Sequence, residues 1–513
     1  MHIKTNHNLA ETWVDDVSHL IHKILPEGNV ASKSYYETEK LMHTLSMPYH
    51  RIDVCQNNCM IYWGDPDESL IICKFCEHPR YKPEKSSRKR ASGTKRIPYK
   101  RMFYLPLSDR LKRLYLSERT ASHIRWHAEH TCHDGKMEHP SDGKVWKHFQ
   151  ELYPEFASKS RNVYLGLCTD GFNPFGSSGV PGRNHPKRSL DVFLRPLIEE
   201  LQSLWAFGVE AFDVSVKQNF NLKAVLMWTI SDFPALGMLS GWTTHGRLSC
   251  PYCMEDTDAF QLMHGRKSSW FDCHRRFLPP DHVYRQNKRS FLKNNVVSKT
   301  GPHYRSGDEI LEHQLGEFYG VQKTAECGGN GHVNNQIEGY GVTHQWHKHS
   351  IFWELPYWRT HLLRHCFDVM HIEKNFFDNI INTLLNVTGK TKDSINSRKD
   401  LVLYCDRKPL HLTQFDVGIF FRDLCSRSLN RSDIAHLKDN IAQTLCNLEK
   451  IFPPSFFDVM EHLTVHLPEE AELGGPMQFR WMYLFERFMF HLKKKANNKA
   501  SVEGSIVEQF FIC

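Results

Sequence analysis

The chain has 513 residues, of which 40% are hydrophobic and 24% are charged. That length allows several structural units, and the composition is typical of a globular protein. No run of about 18 apolar residues occurs, so we expect no membrane partner. The N-terminus has no apolar segment of the kind that directs secretion. The net charge of +7 is small for this length and does not by itself indicate nucleic-acid binding.

The first 50 residues have apolar positions at helical spacing, and they predict an N-terminal helical segment (1–50). A cysteine-rich stretch follows, with the pattern C-x3-C, thirteen residues, then C-x2-C. Four thiolates on two tight turns suit a tetrahedral structural Zn2+, so we predict a zinc knuckle here. Reduced cysteines in an apolar core are the alternative. The four predicted ligands are Cys55, Cys59, Cys73 and Cys76.

A basic loop completes the zinc-knuckle segment, which we place at 51–105. Between Lys82 and Arg101, nine Lys or Arg residues occur against one Glu. The Ser, Gly and Pro content predicts a loop. Its charge indicates a phosphate-binding arm or a nuclear-import signal, and a solvated loop is the alternative. The predicted DNA-binding residues are Arg88, Lys89, Arg90, Lys95 and Arg96.

A helical region (106–160) leads into a mixed α/β core that we place at 161–390. Two short apolar runs of strand type end in Asp170 and Asp232, with an amphipathic helix between them at 191–205. An aspartate that ends a strand lies at the sheet edge, where a metal can reach it. Carboxylates are the usual ligands of Mg2+, and phosphodiester chemistry uses pairs of such ions. A turn or helix-capping role is the alternative for each aspartate.

A polar, histidine-rich insertion occupies about 255–350 of the core. A C-x2-C pair stands just before it and predicts a second structural Zn2+ site. The alternative is a redox-silent cysteine pair beside core histidines. The predicted ligands are Cys250, Cys253, His365 and His371, with His245 and His274 as rivals.

Residues 361–386 return to helical periodicity, which predicts a helix there. This helix carries Glu373, which is placed to supply a third carboxylate beside the two aspartates. A surface position is the alternative for Glu373. Asp368 and Glu486 are rival oxygen ligands.

The most specific signals are long blocks, among them CTDGFNPFG, KAVLMWTISDFPALGMLSGWTTHGRLSCPYC and WELPYWRTHLLRHCFDVMHIEKNFFDNIINTLLN. These blocks resemble those of plant CACTA-type (En/Spm) transposases. After a helical linker (391–450), the segment 451–513 resembles part of the domain of unknown function that follows the transposase in that family. The resemblance extends from about Ile24 to the C-terminus.

The resemblance implies an α+β fold with a ribonuclease-H-like core and a catalytic triad of Asp170, Asp232 and Glu373. It implies catalytic Mg2+ or Mn2+ and a nuclear DNA transposase that cleaves and transfers strands at CACTA element ends. Transposon terminal DNA is the expected partner. An accessory element-encoded DNA-binding protein and a homo-oligomer stay open as further partners.

Two features depart from the family pattern. Residues 171–189 contain no strand-forming run, although a ribonuclease-H-like sheet has two strands at this point. An open sheet edge and an imprecisely held Asp170 are therefore expected. The N-terminal DNA-associated domain of longer relatives is also absent, and the chain stops inside the C-terminal domain. Both points predict a decayed or domesticated copy.

Three functions remain open on this basis. The first is an active transposase, favoured by the retained carboxylates. The second is a catalytically inactive, zinc-dependent DNA- or protein-binding remnant of a transposon. The third is a product with no selected role. The missing strands and truncated ends favour the second or the third.

Overall fold

The structure is a computed structural model, and it describes residues 10–26, 28–38, 40, 48–83, 96–131, 133, 135–170, 190–287, 291, 295–317, 337–405, 417–494 and 506. Most of the predicted DNA-binding residues lie outside the described residues, as does the stretch in which the sequence predicts that two strands of a ribonuclease-H-like sheet are missing. The predictions that fall there concern Arg88, Lys89, Arg90, Lys95 and residues 171–189.

The described residues form both helices and strands. The strands are β1 (His50–Val54), β2 (Lys100–Tyr104), β3 (Lys136–Met137), β4 (Val163–Thr169), β5 (Val209–Asp213), β6 (Gln218–Leu222), β7 (Ala224–Ser231), β8 (Phe260–Gln261), β9 (Ser268–Ser269), β10 (His365–Phe367) and β11 (Leu429–Asn430). The helices are α1 (Glu11–Ile24), α2 (Leu107–Tyr115), α3 (Ala121–Ile124), α4 (Trp126–Glu129), α5 (Lys144–Leu152), α6 (Pro154–Ala157), α7 (Leu190–Ala206), α8 (Phe233–Ser240), α9 (Val283–Gln286), α10 (Gly307–Glu317), α11 (Val369–Leu384), α12 (Ile395–Tyr404), α13 (Val417–Leu424), α14 (Arg431–Glu449), α15 (Val459–Leu463), α16 (Leu467–Gly474) and α17 (Tyr483–Lys494).

A parallel sheet of order β10-β7-β4 lies at the centre of the molecule. Its middle strand, β7, is buried at all eight positions, as its unbroken apolar run predicts. Helices cover both faces of the sheet. The consecutive residues Cys366 and Phe367 of β10 accordingly belong to different hydrophobic clusters. The mixed α/β class predicted from the sequence is therefore observed.

The strand β4 forms one edge of this sheet within the described residues, because it pairs with β7 alone. Its residues are half-buried, apart from the exposed Gly166, whereas those of β7 are all buried. The sequence predicts an open edge at this strand. That stays a prediction, because residues 171–189, which follow the strand, lie outside the described part of the chain.

The sequence was wrong about the start of one helix. Residues 361–386 have helical periodicity throughout, but residues 365–367 form the strand β10, and α11 begins only at Val369. The strand is only three residues long, so periodicity cannot separate it from the helix that follows. None of the described helices is long and apolar enough to cross a membrane.

One hydrophobic cluster joins the central core to the C-terminal part of the chain. It contains Phe233 and Phe271 from the core segment together with Leu437, Leu463 and Met477 from the C-terminal part. The domain boundaries predicted from the sequence assign these residues to a core, a linker and a C-terminal domain. In the structure they share one interior, so the C-terminal part is packed as a component of the core.

Gly143 provides a test of this packing. It caps α5, and a Cβ at this position would lie 2.6 Å from the carbonyl oxygen of Leu473 and 2.8 Å from the nitrogen of Gly475. Both are backbone atoms at the end of α16, so they cannot rotate away. We expect Gly143→Ala to destabilise the protein by about 1–3 kcal/mol, the usual range for overpacking.

The measurement is the urea midpoint followed by tryptophan fluorescence, with Gly418→Ala as the matched control. A Cβ at Gly418, in α13, would meet only Phe377, at 3.9 Å. The control should be neutral or stabilising by up to about 1 kcal/mol, because alanine favours the helix. Equal midpoints for the Gly143 and Gly418 variants would contradict the packing described.

The antiparallel pair β1–β2 and the knuckle segment between its strands are attached to α7. The indole nitrogen of Trp63 donates to Glu199 at 2.8 Å, and the Tyr104 hydroxyl donates to Glu200. The Glu200 carboxylate also accepts the backbone N–H groups of Leu107 and Ser108, at 2.8 and 2.7 Å. These are the first groups of α2, whose own N-cap offers no side-chain bond. Glu200 therefore caps α2 from a neighbouring helix.

This cap predicts a pH effect. Burial acts to raise the pKa of Glu200, but the hydrogen bonds from Ser108 and Tyr104 outweigh it and hold the pKa below the ordinary value of 4.5. Ionised Glu200 thus stabilises the fold above about pH 4.5, and this contribution is lost as the pH falls through the lowered pKa. We expect Glu200→Gln to cost roughly 1–2 kcal/mol at pH 7 and much less at pH 3.

Urea unfolding of both proteins at the two pH values measures this difference. A gap between wild type and variant that is the same at pH 3 and pH 7 would contradict the role of the ionised carboxylate.

Candidate metal centres and carboxylate edge

Three aspartates directly follow the three parallel strands. They lie at the carboxyl ends of these strands, a region here called the carboxylate edge. Thr169, the last residue of β4, is in register with Ser231 of β7, and Phe367 of β10 is in register with the same Ser231. Asp170, Asp232 and Asp368 are therefore the next residues of adjacent strands. Asp170 is exposed, Asp232 is half-buried and Asp368 is buried. The sheet thus brings the two predicted aspartates to one edge.

Asp232 also caps the helix α8. One of its carboxylate oxygens accepts the N–H of Ala235 at 2.8 Å, and Pro234 stands in the first turn, where a missing N–H does no harm. The capping role that the sequence left as an alternative is therefore real. It is compatible with metal binding, because the cap uses one of two carboxylate oxygens and fixes the orientation of the other.

Asp368 is a structural residue. One carboxylate oxygen of Asp368 accepts two backbone hydrogen bonds. The N–H of Met370 donates to it at 3.2 Å, which caps α11, and the N–H of Met482, just before α17, donates to it at 3.1 Å. Burial is the main cause that raises its pKa to about 6, and the nearby charge of Glu486 adds to the effect. Asp368 therefore ties the sheet to the C-terminal helix.

The third predicted carboxylate, Glu373, lies on α11 and is half-buried, and burial raises its pKa. Burial is the main cause that raises the pKa of Cys425 and of Tyr483, and the charge of Glu373 adds to both shifts from the side of α13 and α17. The charge of Glu486 instead raises the pKa of Asp368 and opposes the lowering of the pKa of His371. Asp232 acts on the same His371. Glu486 thus lies nearer to the carboxylate edge than its position in the sequence indicates.

The carboxylates are spread rather than tightly clustered. Among the described residues, the sets whose ligand atoms all lie within 4.8 Å of one another consist of Cys and His, with no Asp or Glu. Two hydroxyls near the ends of these strands, Thr169 Oγ1 and Ser231 Oγ, are buried and have no hydrogen-bond partner within the described part of the chain. Buried polar atoms of this kind ordinarily meet water or an ion.

The predicted cysteine knuckle comes together as a unit. The sulfur atoms of all four cysteines lie within 4.8 Å of one another, and those of Cys55 and Cys76 are 3.5 Å apart. Burial acts to raise the pKa of Cys76, but hydrogen bonds from the His78 backbone and Asn57 lower it to about 7. Because thiolates are the form that binds Zn2+, the four convergent sulfurs fit that ion.

The second cysteine pair has different histidine partners from those predicted. Cys250 and Cys253 lie beside His462 and His466 of the C-terminal part, and the four ligand atoms are within 4.8 Å of one another. This corrects the prediction of His365 and His371 as partners. The sequence did contain a signal, because His462 and His466 are four residues apart and lie on one face of a helical turn.

The other histidines considered as zinc ligands are not part of the cluster around Cys250 and Cys253. His365 bonds to the Thr229 hydroxyl at 2.8 Å, and burial lowers its pKa to about 3. Burial lowers the pKa of His371, and the charge of Asp232 partly opposes that shift. His274 pairs with the buried Glu449 at 2.5 Å, and His245 is exposed.

Arg96 is the predicted DNA-binding residue that the structure describes. It is exposed, and its guanidinium lies 5.7 Å from the ring centre of Tyr81. An exposed guanidinium beside an aromatic ring is free to meet a phosphate on its open side.

The described residues thus combine a parallel sheet whose strands are followed by aspartates with two clusters of Cys or Cys and His residues that could hold metal ions. Residues 134–181 and 177–316 match the model of the transposase family tnp2. Residues 424–512 match a domain of unknown function, DUF4218. The chain thus carries a tnp2-type transposase segment followed by DUF4218, which confirms the resemblance to CACTA-type transposases. No curated protein and no solved structure matches the chain.

Proposed function

We propose that this protein is a DDE-type DNA transposase that nicks and joins strands at CACTA element ends in the nucleus. The observation that carries the proposal is the register of the central sheet, in which Asp170 and Asp232 follow adjacent parallel strands. Both residues lie within the tnp2-matched segment. Two carboxylates at one edge, with two buried hydroxyls near the ends of the same strands, are a donor set that fits Mg2+ or Mn2+.

Such ions, when bound, supply Lewis-acid activation of the attacking hydroxyl and stabilisation of the leaving oxygen. The residues of the chain provide the positioning. Asp232 is oriented by its bond to Ala235, whereas Asp170 follows an edge strand and is exposed. Phosphate oxygens of the DNA are expected to approach from the open side of this edge, with the basic arm around Arg96 contacting the backbone.

Two residues compete to provide the third carboxylate. The sequence favours Glu373. Glu486 is brought near the aspartates by the helix α17, because the N–H of Met482, one turn before Glu486, donates to Asp368 at 3.1 Å. We therefore expect Glu486→Gln to lower nicking by about tenfold or more, and Glu373→Gln to lower it less, because loss of a positioned ligand costs rate. Single-turnover nicking rates of the two variants measure this, and the reverse order would assign the role to Glu373.

The fold proposed for the core is ribonuclease-H-like. The supporting observation is that the first strand, β4, lies at the edge of the described sheet, next to β7. In a ribonuclease-H-like sheet two further strands would pair with the outer side of the first. The family match is also interrupted near that point, with its two segments meeting at 177–181.

The second candidate is a catalytically inactive, zinc-dependent DNA- or protein-binding remnant. The observation that favours it is the spread of the carboxylates, none of which belongs to a tight ligand set among the described residues. The half-buried edge strand β4 also favours the remnant. Asp170 follows this strand, and catalysis depends on placing such a ligand to within about 1 Å.

A nicking assay separates the two candidates. The purified chain is incubated with an end-labelled duplex that carries the terminal repeat of its element, with Mg2+, Mn2+ or a chelator. The transposase proposal predicts metal-dependent nicks at a fixed position at the repeat. Salt-dependent binding of the duplex without any nick, by folded protein, would overturn that proposal and support the remnant.

A further inference from the structure

Four side chains converge on one point between the transposase segment and the C-terminal part. The Cys250 sulfur is 3.4 Å from Nε2 of His466, and the Cys253 sulfur is 3.4 Å from the same atom. The Cys253 sulfur is 3.3 Å from Nε2 of His462, and the two Nε2 atoms are 3.4 Å apart. All four residues are at least nine-tenths buried.

These distances have the dimensions of a tetrahedral metal site. Zinc bonds of about 2.3 Å to sulfur and about 2.0–2.1 Å to nitrogen place tetrahedral ligands roughly 3.3 Å apart for N–N and 3.6 Å apart for S–N. The separation of the His462 and His466 nitrogens matches the first value. The three sulfur-nitrogen separations, at 3.3 and 3.4 Å, are within about 0.3 Å of the second.

The backbone and the surroundings also fit a closed structural site. The N–H of Cys253 donates to the Cys250 sulfur at 3.4 Å, which supports a thiolate at the start of the C-x2-C turn. The ring of Tyr252 stacks on His466, and Phe277 packs edge-on against it. An apolar shell of this kind excludes water, and no position is left for a substrate.

We propose that Cys250, Cys253, His462 and His466 bind one Zn2+ ion that fastens DUF4218 to the transposase segment. Binding converts two thiols to thiolates and releases two protons, so the balance needs no other reactant. The two cysteines lie in the tnp2-matched segment and the two histidines in DUF4218. DUF4218 would accordingly complete a structural metal site whose other half lies more than two hundred residues earlier in the chain.

The ion would also set the position of the carboxylate edge. His466 immediately precedes α16, which carries Glu470, and Glu470 accepts the N–H of Phe367 in β10 at 3.1 Å. Met482, at the start of α17, bonds Asp368 at 3.1 Å. Zinc binding would stabilise these two contacts, which are made to the last residue of β10 and to the aspartate that follows it. The proposal does not depend on catalysis, since a remnant without nicking activity would need the same ion.

The test is the number of zinc ions bound per purified full chain, measured by mass spectrometry. Wild type is expected to hold two zinc ions, one in each cysteine cluster. Both His462→Ala/His466→Ala and Cys55→Ser/Cys59→Ser should hold one. The matched control, His436→Ala/His491→Ala, changes two exposed histidines and should keep two. A His462/His466 variant that keeps the wild-type zinc content would overturn the proposal.

A second measurement decides the case if the double histidine variant fails to fold. Co2+ is loaded into the Cys55→Ser/Cys59→Ser variant, in which the proposed site is intact. A tetrahedral visible spectrum with two thiolate ligands is expected, and His462→Cys in that background should strengthen the sulfur charge-transfer bands. Absence of any tetrahedral cobalt spectrum in the folded variant would overturn the proposal.

Discussion

Asp232→Asn is expected to lower metal-dependent DNA nicking by about a hundredfold or more, because it removes one charged ligand from a site that depends on precise placement. Asparagine is as good a helix N-cap as aspartate, so the bond to Ala235 that begins α8 should persist. The substitution thus changes the charge at the sheet edge while keeping the backbone. Single-turnover nicking of the labelled duplex measures the effect.

Two further variants sharpen this test. Asp232→Ala removes the cap as well and should cost about 1 kcal/mol of stability, which Asp232→Asn should not. Asp439→Asn removes the same charge from an exposed position of α14 and should nick like wild type. Nicking by Asp232→Asn at the wild-type rate would exclude Asp232 from the catalytic site.

Arg480→Met is expected to destabilise the protein by about 3–5 kcal/mol, the range for removal of one partner of a buried ion pair. Arg480 and Glu470 are both fully buried and 3.2 Å apart, and Arg480 also donates to the backbone oxygens of Glu470 and Gly475. Its loss leaves the Glu470 carboxylate buried without its cation. A large fall in the urea midpoint is the expected result.

The comparison variants separate pairing from packing. Arg398→Met removes an exposed arginine whose partner is Asp393 and should leave the midpoint unchanged. Arg480→Met/Glu470→Gln should be less destabilised than the sum of its single variants, because no buried charge is then left unpaired. Additive losses in the double variant would show that the two residues do not stabilise each other.

Local patterns in the sequence were sufficient for the elements of the core. The apolar run ending in Asp232 predicted β7, whose last residue is Ser231, and the amphipathic run at 191–205 predicted α7. The four cysteines of the knuckle were equally clear, since their spacing is local and the structure gathers all of them. In each case the information lies within about thirty residues of the chain.

The long-range contacts were not predictable in this way. Cys250 and His466 are 216 residues apart, and nothing in either local pattern specifies the other. His365 and His371 lie in the same core segment as the cysteine pair, but the structure instead brings His462 and His466 of the C-terminal part beside it. The helix α17 likewise brings Glu486 towards Asp368, so the third carboxylate also depends on a contact that sequence distance hides.

The central claim is that the sheet edge bearing Asp170 and Asp232 binds divalent metal. Electron paramagnetic resonance of Mn2+ titrated into the zinc-loaded protein tests it most directly, with Asp170→Asn/Asp232→Asn for comparison. The account predicts bound Mn2+ in wild type, and a loss of that binding of at least about tenfold in the variant, because the ligands are carboxylate oxygens. Equal Mn2+ binding by the two folded proteins would contradict it.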